Sequence, residues 1–532
     1  MPTPTTIQWL SMVGIVWLQA ISGTNTDFPA YSSQLKQLLS ISQVQLNNLA
    51  FASDAGKLFG WFSGIAAIYL PLWLVLLIGS TLGLIGYGLQ FLFVINKISS
   101  LSYLQFFFLT ILAGNSICWI NTVCYVLINR NISSQKQVAL GVSTSYGNLT
   151  AKIYTILVEW IFPSSSKKAQ RYLLLNSVVP LGVSMLTTSL VREVEVEKEK
   201  HINGGFIVMF FITVATGIYS VLGSIGAVSI GSPLIHVVVM GVLLAAPLVI
   251  PLVICVRVIL EEKYWWSSNS TRERRIHDLS VNIEVVVGED KMENETKEVQ
   301  GIEHELEEEE VDDGIIRAKE EIGVKLMVQR VDFWLYFFVY LFGATLGLVY
   351  LNNLGQVAES YKHSNTTSLV SLSSSFGFFG RLVPSLWDYF FSKTRYRISG
   401  VASVVTLMVP MTGAFFLLVE YSSLSLYIST AIIGVCSGAI SSVAVSVTAE
   451  LFGTKNFSVN HNVVIANIPI GSFSFGYMAA ILYQRAGDEE QYRCIGVECY
   501  RKTFIIWGSI CSFGTLLAFI LYLRTRKFYL QR

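Results

Sequence analysis

Residues 51–73 read FASDAGKLFGWFSGIAAIYLPLW, and their reading decides the fold. Apart from Asp54 and Lys57 the run is apolar or small-residued. It is long enough for one membrane crossing, which takes about 20 such residues to traverse roughly 30 Å of hydrocarbon. A charge at mid-bilayer costs about 2.5–3.5 kcal/mol on insertion scales, so two opposite charges here need a reason. Asp54 and Lys57 stand three residues apart on one helical face, where they can pair. Simple neutralisation and a role toward a solute or proton both account for them.

Working outward, the chain holds fourteen apolar stretches of this length, near 7–27, 45–69, 72–95, 102–129, 137–161, 171–191, 204–229, 233–260, 331–355, 367–391, 398–419, 424–449, 462–484 and 503–523. With 52% hydrophobic and 14% charged residues among 532, these segments exceed what one soluble core accommodates. The expected fold is therefore an all-α polytopic membrane protein. The formal charge of +1 averages two materials, because 20 of the 36 acidic residues fall between Glu261 and Glu321. That stretch, with GIEHELEEEEVDDG at its centre, buries too little apolar surface to fold and is expected to be a disordered, solvated loop.

The spans group as six, two and six. The expected organisation is a first six-helix bundle over 1–200, two additional helices over 201–260, the acidic loop over 261–330, a second six-helix bundle over 331–524 and a basic tail over 525–532. With an even number of spans both termini share a side. Connections on that side, with the tail, carry 13 Lys and Arg against 10 on the other, and the flanks of the acidic loop add more. The positive-inside rule then places both termini and the loop in the cytosol. Of the glycosylation sequons only Asn365 falls on the other side. The first apolar run lacks a basic leader and reads as a retained span. Five cysteines sit within apolar runs, whereas Cys494 and Cys499 lie in a polar connection and form a candidate local disulfide where that connection faces an oxidising compartment.

The two six-span units echo one another. Gly56, Lys57 and Leu58 in the second span align with Gly380, Arg381 and Leu382 in the tenth, the second span of the later unit. Duplicated transporter halves correspond in this way.

The 6+2+6 count, the paired second-helix glycines and the turn WDYFFSKTRYR after span 10 resemble the major facilitator superfamily. The similarity is closer to its plant nodulin-like branch, the Nuclear Fusion Defective 4-like proteins. It rests on SGTNTDFPAYSSQLK (22–36), NTVCYVLINR (121–130), NNLGQVAES (352–360), FGFFGRL (376–382), ELFG (450–453) and CIGVECY (494–500). The resemblance implies two six-helix bundles that rock about a central site. It also implies a gating role for Gly380, Asp388 and Arg395, with Lys393 and Arg397 beside them. The matching first-half turn, AAIYLPLW, carries no charge.

Arg381, the echo of Lys57, has no acidic residue three or four positions away, so it requires a carboxylate on another helix, water or an anionic solute. Two basic groups, one per half, would give an organic anion such as a carboxylate two attachment points, with Arg binding in bidentate fashion and Lys as a point charge. Asp54, Lys57, Arg381, Asn352, Asn353 and Gln356 are the expected solute-binding residues. Asn121, Asn148 and Lys152 are further intramembrane polar groups. The sequence holds no metal-ligand cluster, phosphate cradle or nucleophile motif, so neither an enzyme nor a cofactor is expected. The expected partners are the lipid bilayer and a small solute, with a coupled proton, and no nucleic acid. Plasma membrane and endomembrane, including the vacuole, remain equal choices. The rival reading is a non-transporting receptor or scaffold acting through the acidic loop. A polar central cavity lined by Lys57, Arg381 and Asn352 separates the two.

Overall fold

A computed structural model describes residues 4–132, 135–162, 167–194, 203–224, 232–261, 322–361, 366–391, 399–486 and 494–530. Arg395, Lys393, Arg397, Asn365, the acidic stretch 262–321 and the side chain of Asp388 lie outside the described residues. A helix lies in each of the fourteen apolar stretches. Spans 1 to 8 are Pro4–Ser22, 43–69, Leu72–Val94, Tyr103–Asn131, 136–161, Lys168–Thr187, Asn203–Ser224 and Pro233–Glu261. Spans 9 to 14 are Val331–Ser360, Thr366–Phe391, Gly400–Leu417, Ser423–Phe452, Phe457–Ala486 and Glu498–Leu530. Among the described residues nine helices are long and apolar enough to cross a membrane by length and composition alone. The cavity-forming spans 2 and 5 fall short of that apolarity because they carry polar groups inward.

Local sequence explains the punctuation. Span 2 starts at a capping box of Ser42 and Gln45, whose side chain and backbone bond reciprocally. It tightens into a 3₁₀ turn over Gly56–Phe59, the turn that carries Lys57. Span 5 tightens likewise over Gly147–Leu149. Span 9 widens into a π turn over Leu341–Thr345. These three irregular turns border the central cavity, whereas another, Ala246–Leu248 in span 8, does not; such turns are frequent at functional positions.

The helices form two bundles whose apolar cores meet, since Phe378, Leu382, Val445 and Phe457 of the later half pack into the first half's core. One core joins spans 1 to 6 with spans 7 and 8, where Phe206 of span 7 packs on Trp9 at 4.9 Å between ring centroids. The other gathers Tyr336, Met408, Phe415 and Trp507 from the later spans. The sequence echo reappears in the packing. A Cβ at Gly56 would collide with the backbone of span 4, and one at Gly380 with the backbone carbonyl of Val435 in span 12. Gly114 meets Ser53, and Gly438 meets Gly377, at matching points. Each pair is separated by the same number of residues, so the second and fourth helices of each half cross in the same register. Small residues allow such close approach where apolar side chains gain nothing over lipid.

Two helices lie outside the expectation. The stretch expected to be disordered over 261–330 is ordered at its end, where Val324–Met327 is helical and Ile322 and Met327 are buried in the later half's core. Phe28–Leu39 is a 12-residue helix between spans 1 and 2. It is too short and too polar to be found by looking for bilayer-length runs. Tyr31 stacks on Tyr172 of span 6 at 5.4 Å and fixes it to the first half.

The halves touch at both ends of the molecule. At the end away from the termini, Phe51 packs on Phe473 at 5.3 Å and Gln356 Nε2 donates to Asn47 Oδ1 at 3.2 Å. At the terminal end, Ser458 Oγ donates to the carbonyl of Gly64 at 3.2 Å, and Ser385 Oγ to that of Gln137 at 2.9 Å.

Candidate functional site

Between these two sets of contacts lies a cavity of about 250 Å³, lined from both halves. Lys57 comes to it on the 3₁₀ turn of span 2, and Arg381 on span 10 one turn before Ser385. Asn352 reaches it from span 9 and His461 from span 13. No Asp or Glu lines it among the described residues.

The two basic residues differ in their bonding. Lys57, 8% exposed, donates to Asp54 Oδ1 at 2.6 Å. Asp54 itself is buried behind the wall, and its Oδ2 accepts Asn352 Nδ2 at 3.3 Å and Ser472 Oγ at 2.6 Å. Both of those donors belong to the other half. Asp54 therefore neutralises Lys57 and ties the halves together at the end away from the termini. Arg381 has no carboxylate partner among the described residues. Its Nη1 donates to the carbonyl of Thr144 at 2.8 Å, and its Nε is buried without a partner.

Unpartnered polar atoms gather around this cavity. Gln19 Nε2, Asn121 Oδ1, Thr144 Oγ1, Ser373 Oγ and Arg381 Nε are all buried, all belong to cavity-lining residues, and all lack a hydrogen-bond partner in the protein. Buried polar groups are ordinarily satisfied, and each exception calls for a bound guest or water. The lining thus offers unpartnered donors and acceptors together with one cation that has no carboxylate partner among the described residues.

The remaining sequence expectations separate. Asn353 is buried and donates to the carbonyl of Val349 in its own helix at 2.9 Å, away from the central cavity. Gln356 accepts Tyr500 OH at 2.9 Å and donates to Asn47, which makes it a contact between halves beyond the cavity. Gly380 packs span 10 on span 12 within one half. Lys152 donates to the carbonyl of Gly223 at 2.9 Å and holds span 5 to span 7. Asn121 and Asn148 do line the cavity. A disulfide joins Cys494, just before span 14, to Cys499 in its first turn, adjacent to Tyr500. Gly496 N donates to the carbonyl of Ser360, which pins that loop to the end of span 9.

Sequence reasoning passed over Gln19, Tyr125, His461 and Asn462. His461 lies between Tyr125 and Phe457, with ring centroids at 5.5 and 5.3 Å, and its Nδ1 is 3.3 Å from Thr448 Oγ1. Asn462 Nδ2 donates to Thr122 Oγ1 across the halves at 3.0 Å. The signal was present in VNHNVV (459–464), three polar residues inside an apolar run.

Comparison with known proteins agrees with this architecture. Residues 8–256 match the family described as Nodulin-like, and residues 313–531 match that described as NFD4, C-terminal domain. The chain is 39% identical to Protein NUCLEAR FUSION DEFECTIVE 4 of Arabidopsis thaliana over 541 aligned positions, covering 98% of this chain and 89% of that protein. It is 24% identical over 204 positions to Probable transporter MCH1 of Yarrowia lipolytica, covering 36% of this chain and 41% of the other. Among solved structures it is similar to the major facilitator proton:xylose symporter XylE, with a TM-score of 0.54 at 10% identity over 97% of this chain and 95% of that one. It is also similar to the Escherichia coli fucose:proton symporter FucP, with a TM-score of 0.51 at 9% identity over 96% and 98%. These structural likenesses establish the major facilitator fold.

Proposed function

The chain belongs to the nodulin-like family, with the NFD4-type C-terminal domain in its later half, and on that premise we propose that it is a secondary transporter moving a small organic anion, a carboxylate, by alternating access. The observation that carries the reading is Arg381, a cation without a carboxylate partner among the described residues, whose buried Nε is free beside a polar cavity between the halves. An Arg fork binds a carboxylate through two parallel charge-assisted bonds. Lys57 supplies a second, exchangeable point of attachment. A solute carboxylate at Lys57 competes with Asp54, and Asp54 also holds Asn352 and Ser472 of the other half. Occupancy of the cavity is thus felt by the contact that closes the end away from the termini.

Both termini face the cytosol in this proposal, a reading that the distribution of basic residues supports. The similar proteins named above as transporters or proton symporters support the class, and a coupled proton is part of the proposal. A receptor or scaffold working through the acidic segment has no use for a polar cavity with an unpartnered Arg. The test is uptake into proteoliposomes across a panel of organic anions, organic cations and neutral sugars. Saturable uptake of an anion supports the reading; uptake of cations alone, or no uptake of any solute, refutes it.

A further inference from the structure

A second polar cluster lies in the first half, outside the solute cavity. Asp27 occupies the N-cap position of the helix Phe28–Leu39 and is 1% exposed. Its Oδ1 accepts Asn176 Nδ2 of span 6 at 3.2 Å, while its Oδ2 is buried without a partner. Asn176 is fully buried, and its Oδ1 also lacks a partner. Two acceptors, carried by two groups already joined through one hydrogen bond, are therefore short of a donor.

Among the described residues the surroundings supply no cation. The side chains that act on Asp27 are Asn176 and a ring of tyrosines: Tyr31 of the short helix, Tyr87 of span 3, Tyr154 of span 5 and Tyr172 of span 6. Glu159 of span 5 acts on Tyr172 from the rim. Tyr87 OH donates to Thr24 Oγ1 at 3.1 Å, and Tyr172 OH shares a hydrogen bond with Thr155 Oγ1 at 2.9 Å. The Tyr31 hydroxyl lies by the Asn176 amide, and Tyr154 OH has no partner.

We propose that Asp27 and Asn176 form a proton-binding site, a neutral acid–amide pair in which Asp27 Oδ2–H donates to Asn176 Oδ1 while Asn176 Nδ2 donates to Asp27 Oδ1. One proton taken from water satisfies both orphaned acceptors and removes the charge. Without it, two buried acceptors stay unpaired, and a buried carboxylate with no counter-charge is costlier still. Burial, which disfavours the ionised form, holds this carboxyl well above its ordinary range, only partly opposed by the Asn176 bond and by a bond from its own backbone N–H. The neighbouring Asn25 and Thr26 line the solute cavity, whereas Asp27 does not. The proton thus sits one residue behind the cavity wall, and the pair ties the end of span 1 to span 6. The site stands independently of the solute reading.

The test uses the full chain in lipid nanodiscs. Infrared difference spectra of wild type minus Asp27→Asn at neutral pH are expected to show the carbonyl stretch of one protonated carboxyl, shifted in D2O. Asp27→Asn replaces the acid with an amide that makes both hydrogen bonds, so folding is expected to survive. Asn176→Ser keeps Asp27 and is expected to move the same band. Thermal unfolding gives a second reading. The folded chain keeps a proton that the unfolded chain releases above about pH 4. Wild-type stability should therefore decline from acid to neutral pH, and Asp27→Asn should remove that part of the slope. No carboxyl band at neutral pH, a band unmoved by Asn176→Ser, or equal pH slopes would overturn the proposal.

Discussion

Arg381→Gln tests the anion reading most directly. The guanidinium spends one donor on the Thr144 carbonyl and has an unpartnered Nε beside the cavity. Hydrogen bonds to a charged group contribute about 1.5–3 kcal/mol. At 1.4 kcal/mol per decade, losing one such bond to the solute weakens binding roughly 10- to 100-fold. The same substitution affects the fold little. It removes one bond to Thr144, worth about 1 kcal/mol, and relieves the desolvation of a cation with no counter-ion. The assay is the initial rate of anion uptake into proteoliposomes as a function of concentration, with a melting curve of each purified variant beside it. KM should rise by that factor while the melting temperature stays near wild type. Arg381→Lys keeps a point charge but loses the planar fork, so it should fall between the two. Uptake by Arg381→Gln with wild-type KM and turnover would refute the role assigned to Arg381.

The Asp54 pair predicts a different pattern. Asp54→Asn strands Lys57 and should cost about 3–5 kcal/mol of stability, much of which Asp54→Asn with Lys57→Gln should recover, as read by a double-mutant cycle of unfolding. Gly380→Val drives a side chain into the Val435 backbone and should abolish monodisperse protein on size-exclusion chromatography, whereas Gly182→Ala, with nothing within 4 Å of a Cβ, should leave the profile unchanged. Cys494→Ser with Cys499→Ser opens a bridge of sequence separation 5 and should lower stability by about 2 kcal/mol on loop-closure entropy, measured by thermal unfolding with and without reductant.

The membrane class, the fourteen helical stretches and the correspondence of Lys57 with Arg381 were legible because hydrocarbon length and mid-span charge are strong constraints on sequence. The rotation of each helix was not. Asn352 and Asn353 are neighbours, yet one reaches the cavity and the other bonds its own helix at Val349. In a soluble helix the polar face marks its direction. A helix between lipid and an apolar bundle core is apolar on both sides, so the pattern carries little phase. The same ambiguity hid His461 and Asn462, whose direction is set by the break at Ala466 in span 13 and its packing on span 2. The helix Phe28–Leu39 escaped for another reason: tertiary contacts with span 6 hold it, and its 12 residues give no bilayer signal.

The asymmetry between the halves follows from one substitution in the duplicated motif. The residue that corresponds to Asp54 in the second half is Phe378, which is fully buried and packs edge-on against Tyr146 at 6.0 Å. An acid at both positions would leave the cavity with two paired cations and no free charge. A Phe at both would put two uncompensated cations in a low-dielectric space, a cost that grows with each charge. With one of each, the proposed transport reading has Arg381 open to a guest at all times and Lys57 open only when Asp54 lets go. Because Asp54 also carries the bonds from Asn352 and Ser472, Lys57 is tied through it to the contact that closes one end, whereas Arg381 reaches the first half only through the Thr144 carbonyl. Neutralising Arg381 should therefore weaken binding and remove that single bond between the halves, whereas altering Asp54 or Lys57 should change how readily the halves separate at the end away from the termini.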